Sequence, residues 1–214
     1  MTTDTVKRLA EITDAAAFER VATAVLRAAD PTYRNLAHPG GNTDGKTVKA
    51  PLDNIGWVQS AVGSRLVGAA HTTCYQADLE GKWLHDPATV KPRKEGGKPT
   101  QPAGDLVKAI SEVEVYRTKQ TGLAATLALT TNRETAVDVR VRAETMAATA
   151  MIDLDVWSVS RIADFLDTTE RGQVIRRVHL GTPVELVSVP LLQEMGVQSI
   201  ADHLCLPEGR EFVV

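Results

Sequence analysis

The sequence is poor in aromatic residues: three Trp, three Tyr and three Phe, 4% of its 214 positions. That count argues against a base-stacking sheet of the kind carried by RNA-recognition domains. Cysteine is scarcer still, with only Cys74 and Cys205, far apart in the chain. Two cysteines exclude a structural zinc site built on cysteine pairs, and they read as lone thiols of a cytosolic protein. No run of about 18 apolar residues occurs, so no membrane span is expected. The opening stretch MTTDTVKRLAEITD is polar and mixed in charge, unlike a signal peptide. An excess of positive charge is also lacking. The net charge of -3 argues against binding nucleic acid by bulk attraction, though not against a local basic patch. No Ser-His-Asp or Cys-His set has supporting local context.

What is present is enough apolar material, 43% of residues, for one sizeable domain or a domain with an appendage. Residues 14–29 predict a helix: Asp14 is placed to cap it, and Phe18, Val21, Val25 and Ala29 share a face. Asp30-Pro31 ends it. YRNLAH predicts a short strand, LDNIGWV a second and RLVGAAHTTC a third, with a glycine-rich turn before the second. ADLEGKWLHD predicts a short helix. Residues 87–104 carry four prolines and three glycines, and read as an exposed insertion or a substrate-facing flap. Helix and apolar strand then alternate: DLVKAISEVEVYRTKQ, GLAATLALTTN, ETAVDVRVRAETMAATA, MIDLDVW, SVSRIADFLDTT. That rhythm predicts parallel crossovers, although the β-branched AVDVRVR fits a strand as well. From Arg171 onward, RGQVIRRVHLG and PLLQEMGVQSIADHL read as helices of an appended arm. No internal repeat is visible.

The stretch GGNTDGKT at residues 40–47 matches the nucleotide-binding pattern G-x-x-x-x-G-K-[ST]. A working phosphate loop requires a helix to start at its Lys-[ST]. The sequel TVKAPLDNIGW opposes one: Val48 is β-branched, Asn54 and Gly56 are poor helix formers, and a helix through Pro51 costs about 3 kcal/mol. Two other readings remain, a plain hairpin turn, or a turn whose glycines let the backbone pass close to a substrate phosphate.

Asp53 follows this turn at the start of an apolar strand, where alternation groups it with Ile55 and Trp57. Glu19 lies on the first helix beside Phe18. Two carboxylates from separate elements suit Mg²⁺, which takes oxygen ligands and keeps several waters, polarises a phosphoryl oxygen and generates hydroxide. The alternative is an ordinary solvated helix residue and a turn acid. His71, on the third strand, reads either as a core histidine or as a general base, and His38 beside the turn is similar. Thr72 and Thr73 offer hydroxyls to a phosphate or merely suit a strand. Lys46 and Lys49, then Lys91, Arg93, Lys94 and Lys98 in the long loop, form a candidate phosphate footprint or a solvated surface. Arg176-Arg177 beside His179 read as an exposed helix edge. Asp153 and Asp155 lose meaning as nucleotide-site acids without a working phosphate loop.

A helix bearing Glu19, a glycine-rich turn, a strand bearing Asp53, then a third strand and a helix resemble the PD-(D/E)xK, or restriction-endonuclease-like, fold. HPGGNTDGKTVKAPLD, AAHTTCYQADLEGKWL and FLDTTERGQVIRRVHLG are similar to a narrower group, the N-terminal effector domains of bacterial STAND-type NTPases in anti-phage defence, across residues 18–203. The resemblance implies an α/β domain over 1–170, a mixed central sheet flanked by helices, and a helical C-terminal arm or linker over 171–214. It implies a metal-dependent DNA endonuclease, with Glu19 and Asp53 holding Mg²⁺ (or Mn²⁺). His71 or Lys82 then positions the attacking water, and His38, Asn42, Lys46, Thr72 and Thr73 contact substrate. It also implies homo-oligomers, or a downstream NTPase or sensor region of the same chain, since the sequence stops at GREFVV. The family's third strand carries Glu-x-Lys or Gln-x-Lys; this chain has Gly68-Ala69-Ala70-His71-Thr72-Thr73 there. That departure keeps a second expectation open, a degenerate fold serving as a binding or oligomerisation module. A nucleotide-binding domain is the third.

Overall fold

The computed structural model describes residues 4–38, 51–60, 63–89 and 101–182. Two helices open it, α1 (Asp4–Glu11) and α2 (Ala15–Ala29). The carboxylate of Asp14 accepts the Ala16 N–H at 3.0 Å and so caps α2. At its far end the Asp30 N–H closes on the Leu26 carbonyl, and the Asp30 side chain then caps a short 3-10 turn, Pro31–Tyr33. One acid thus ends one element and starts the next.

The sheet has four strands in sequence order: β1 (Asn54–Ser60), β2 (Gly63–Thr72), β3 (Ala124–Thr131) and β4 (Asp153–Trp157). β1 and β2 are antiparallel, while β2–β3 and β3–β4 are parallel. Between them lie α3 (Leu79–Leu84), α4 (Asp105–Lys119) and α5 (Val137–Thr149). α6 (Val159–Thr168) and α7 (Glu170–Leu180) follow β4. The parallel crossovers expected from the alternating second half are therefore present, and AVDVRVR lies in helix rather than strand.

The two central strands, β2 and β3, are buried on both faces over most of their length. Leu66 and Ala70 of β2 pack with Trp83, Leu106, Ala109, Val113 and Ala143 of α3, α4 and α5. Val67 and Ala69 pack on the other side with Phe18, Val21, Val25, Ile162 and Leu166 of α2 and α6. The alternation of neighbouring β2 residues between two apolar layers makes this a mixed sheet flanked by helices. Near the end of α4, Arg117 donates to the carbonyls of Leu123 before β3 and of Ala150 and Met151 after α5.

Three expectations change. YRNLAH is not a strand: Tyr33 ends the 3-10 turn, Arg34 and Asn35 continue as a turn, and one antiparallel bridge, Ala37 to Ile55, is what remains of a third meander strand. Its Asp30 cap and Pro31 favour a turn over extended pairing. α1 was not foreseen, because its polar sequence hides a single buried stripe carried by Thr5 and Leu9. The arginine pair of α7 is not an exposed edge: Arg176 is only 6% exposed and pairs with Asp167 at 2.7 Å. α7 packs against α1, α2 and α6, and ends on Gly181, whose positive φ of 68° suits glycine. The helix expected over 190–204 lies outside the described residues, as does the basic stretch from Lys91 to Lys98.

Candidate functional site

The polar residues of the sheet gather at the C-terminal ends of the parallel strands, where open α/β sheets place their ligands. His71 and Thr130 are register partners on β2 and β3, so their side chains share the α2-facing side. Asn54, opposite Ala69, shares it too. His71 Nδ1 meets Thr130 Oγ1 at 2.7 Å and its Nε2 meets Asn54 Oδ1 at 2.6 Å. Asn54 Oδ1 also accepts from Thr23 Oγ1 of α2 at 2.6 Å. An amide oxygen only accepts, so Nε2 carries the imidazole proton and Nδ1 accepts from the Thr130 hydroxyl. Burial pushes the His71 pKa down to about 3. The imidazole is therefore neutral, with both nitrogens engaged inside the protein. This geometry favours the core-histidine reading, with the ring as a buried link among β1, β2, β3 and α2, over that of a residue that deprotonates water.

Asp53 precedes β1 instead of lying on it. Its N–H donates to the Ala69 carbonyl at 3.0 Å, and its Oδ2 accepts the His71 N–H at 2.7 Å. Two backbone bonds thus fix the acid at the strand end. Asn54 shares a face with the α2 layer while Ile55 and Trp57 face α4, as alternation predicts, but Leu52 packs in the α4-side layer rather than beside Asn54. Burial raises the Asp53 pKa and the charge of Asp105 raises it further, against the pull of the His71 N–H, Lys82 and His38. Glu19, on α2, is raised by burial first and by Asp53 second. It is opposed by His38, 3.4 Å away, and by the Asn54 amide at 3.5 Å. The charge of Asp53 is therefore felt at Glu19, and ionisation is disfavoured at both, at Asp53 by burial and Asp105.

On the α4 side of the same rim, Lys82 Nζ sits 3.1 and 3.2 Å from the two carboxylate oxygens of Asp105. Lys108 Nζ is 3.3 Å from one of them. Asp105 occupies the first residue of α4 and is 8% exposed. The helix N-terminus and two ammonium groups compensate its burial. The Lys82 side chain is well exposed, and its charge is felt at Asp53. Asp105, Asn54 and Thr23 were missed in the sequence. A buried Asn in an apolar strand and an acid just after a loop-ending glycine were the available signals.

Of the other expected contacts, Thr72 is buried and its hydroxyl accepts the Cys74 N–H at 3.2 Å, shaping the turn after β2. Thr73 is half-buried beside it. His38 stands against Glu19 with an exposed ring. Asn42, Lys46 and Lys49 lie outside the described residues, as does the whole of 40–47. The chain is described again at Pro51 as a bend leading into β1, not as a helix. Asp153 and Asp155 serve packing: Asp153 pairs with Arg65, and Asp155 binds Arg161, the Tyr33 hydroxyl at 3.2 Å and the Trp157 indole at 2.7 Å.

On β2, the backbone at Gly68 is closely covered on one side. A Cβ at Gly68 would lie 2.6 Å from Leu52 Cδ1 and 3.0 Å from Leu127 Cδ2. Among the described residues no group of three or more His, Cys, Asp or Glu is arranged to hold a metal ion, and no helix is long and apolar enough to cross a membrane. No protein-family model matches the chain, and neither a curated protein nor a solved structure matches it.

Proposed function

We propose that this chain is a metal-dependent, endonuclease-like effector domain that hydrolyses DNA phosphodiesters. In this reading it has a restriction-endonuclease-like fold, works in the cytoplasm, and acts as a homo-oligomer or with NTPase or sensor regions of the same chain in anti-phage defence. One observation carries the reading. Glu19 and Asp53 come from different elements, the charge of Asp53 raises the proton affinity of Glu19, and that of Asp105 raises the proton affinity of Asp53. Carboxylates that repel each other at a rim are relieved by a divalent cation between them.

The donor set is all oxygen and supplies two acids, which fits Mg²⁺ or Mn²⁺ completing its shell with water and substrate phosphate. When bound, such an ion supplies Lewis-acid polarisation of a phosphoryl oxygen and a more acidic water. Asp53 is kept in place by the His71 N–H, and Glu19 by Asn54 and His38. Lys82, anchored on Asp105, offers its ammonium protons to a phosphate oxygen or to the incoming water near Asp53. His71 moves no proton and keeps β1, β2 and α2 in register.

A second reading, a fold without chemistry that binds or oligomerises, is favoured by the packed, acid-free Gly68-Ala69-Ala70 stretch. Plasmid DNA incubated with Mg²⁺ or Mn²⁺ separates the two. The nuclease reading expects nicking by the wild type, clustered where necessary, and none by Asp53→Ala. Equal nicking by both proteins, or by neither when clustered, leaves the binding module.

A further inference from the structure

Among the described residues two aromatic side chains are notably exposed, and they differ. Trp57, 37% exposed, has the Tyr116 ring edge-on at 5.5 Å. Tyr75 is 74% exposed, and the group recorded against its ring is the guanidinium of Arg133, 5.9 Å from the centroid. Tyr75 leaves the C-terminal end of β2 three residues after Thr72, and Arg133 leaves the end of β3 two residues after Thr131. Both ends form the rim that holds Asp53. Cys74, next to Tyr75, feels the charges of Lys82 and Asp105, which places this turn against the same cluster.

Arg133 is not a loose surface cation. Its side chain donates to the Ala10 carbonyl at 2.6 Å, its N–H to Thr131 Oγ1 at 3.1 Å, and its carbonyl accepts the Val159 N–H at 3.1 Å. A guanidinium fixed in this way loses little further freedom on meeting a ligand. The α4 and α5 N-termini open toward this end without side-chain caps, at Gly104 and Ala136, and Lys82 and Lys108 stand beside the first of them. An exposed ring adds nothing to a core. A ring with a fixed cation above it, on a rim with two lysines, has the parts of a stacking platform for nucleic acid: a π-face for a base and positive charge for the backbone.

Resting on the phosphodiester reading above, we infer that Tyr75, braced by Arg133, stacks an unpaired nucleobase, so that the site takes a single-stranded segment of nucleic acid. Duplex bases are already stacked and present no face to a single tyrosine, whereas every unpaired base does.

The experiment measures binding apart from cleavage. Fluorescence anisotropy of a labelled single-stranded 12-mer, and of its duplex, is followed with EDTA present for wild type, Tyr75→Ala and Tyr75→Phe. The wild type is expected to prefer the single strand. Tyr75→Ala should weaken it roughly 5- to 100-fold, and Tyr75→Phe should keep wild-type affinity because stacking needs the ring and not the hydroxyl. Tyr75→Ala binding the single strand as well as wild type, duplex preference in the wild type, or no oligonucleotide binding at all overturns the inference. Nicking with Mg²⁺ is scored separately. Binding that depends on Tyr75 without nicking removes the hydrolytic reading alone, and nicking with affinity indifferent to Tyr75 removes the stacking site alone. Matching circular dichroism of the variants confirms that the exposed substitution leaves the fold intact.

Discussion

The Asp53 carboxylate accepts the main-chain N–H of His71 at 2.7 Å, while the His71 side chain turns to the other side of the sheet and binds Asn54 at 2.6 Å. One residue of β2 thus fixes two consecutive residues of the neighbouring chain segment, one with its backbone and one with its ring. The acid at the rim and the buried network behind it are parts of a single arrangement.

Asp53 stabilises the fold best when protonated. Its folded pKa is raised, so its contribution is present below the unfolded value of about 3.8 and is lost as pH rises through the folded value. Asp53→Asn keeps an oxygen for the His71 N–H and removes the buried charge. Urea unfolding at pH 7 is expected to show the variant as stable as the wild type or more so, with any nicking activity gone. A clear loss of stability contradicts the burial argument.

His71 has the opposite sign. Its folded pKa lies near 3 against 6.5 when free, so its stabilising effect is full above 6.5 and disappears as pH falls toward 3. Over that window the loss is on the order of 5 kcal/mol. Two-dimensional NMR of the imidazole nitrogens should show an unprotonated Nδ1 and no titration between pH 7 and 5. A ring that titrates near 6 refutes the closed network.

Lys82 is exposed enough that its pair with Asp105 contributes little to stability. Lys82→Met should cost under about 1 kcal/mol in thermal unfolding, because Lys108 still compensates Asp105. On the proposed reaction the same change should remove most of the nicking rate, with Lys82→Arg retaining part of it. A large stability loss makes the lysine structural.

Gly68→Ala should destabilise by about 1–3 kcal/mol, since the new methyl meets Leu52 and Leu127. Leu52→Ala alone also destabilises, by about 2–5 kcal/mol. The double variant should cost less than the sum, because each change relieves the other. Strict additivity in a double-mutant cycle shows that the two groups do not touch.

Divalent ions give a further check on the carboxylates. Millimolar Mg²⁺ should raise the melting temperature of the wild type and leave Asp53→Ala unchanged, since an ion that binds only the folded state stabilises it. Equal shifts in both place the ion elsewhere.

The sequence made the second half legible because each helix and each strand there buries an apolar face at its own period. α4, β3, α5, β4 and α6 fall where 3.6- and 2-residue spacing put them. α1 escaped because its few buried side chains do not make an apolar stripe, and YRNLAH misled because a cap and a proline outweighed its extended-looking residues. At the site, Glu19 and Asp53 were visible as acids beside apolar neighbours. Asp105, Asn54 and Thr23 were not, since their importance arises from contacts 17 to 48 residues apart in the chain, such as Thr23 with His71. Spacing along one chain carries no record of such meetings.

α7 lies against α2, close enough that Arg20 of α2 acts on His179. α2 in turn carries Glu19 and Thr23. A substitution that loosens α7 from α2 therefore disturbs the support of the helix bearing Glu19. The helix that carries the rim acid is thus held from behind by the last helix described.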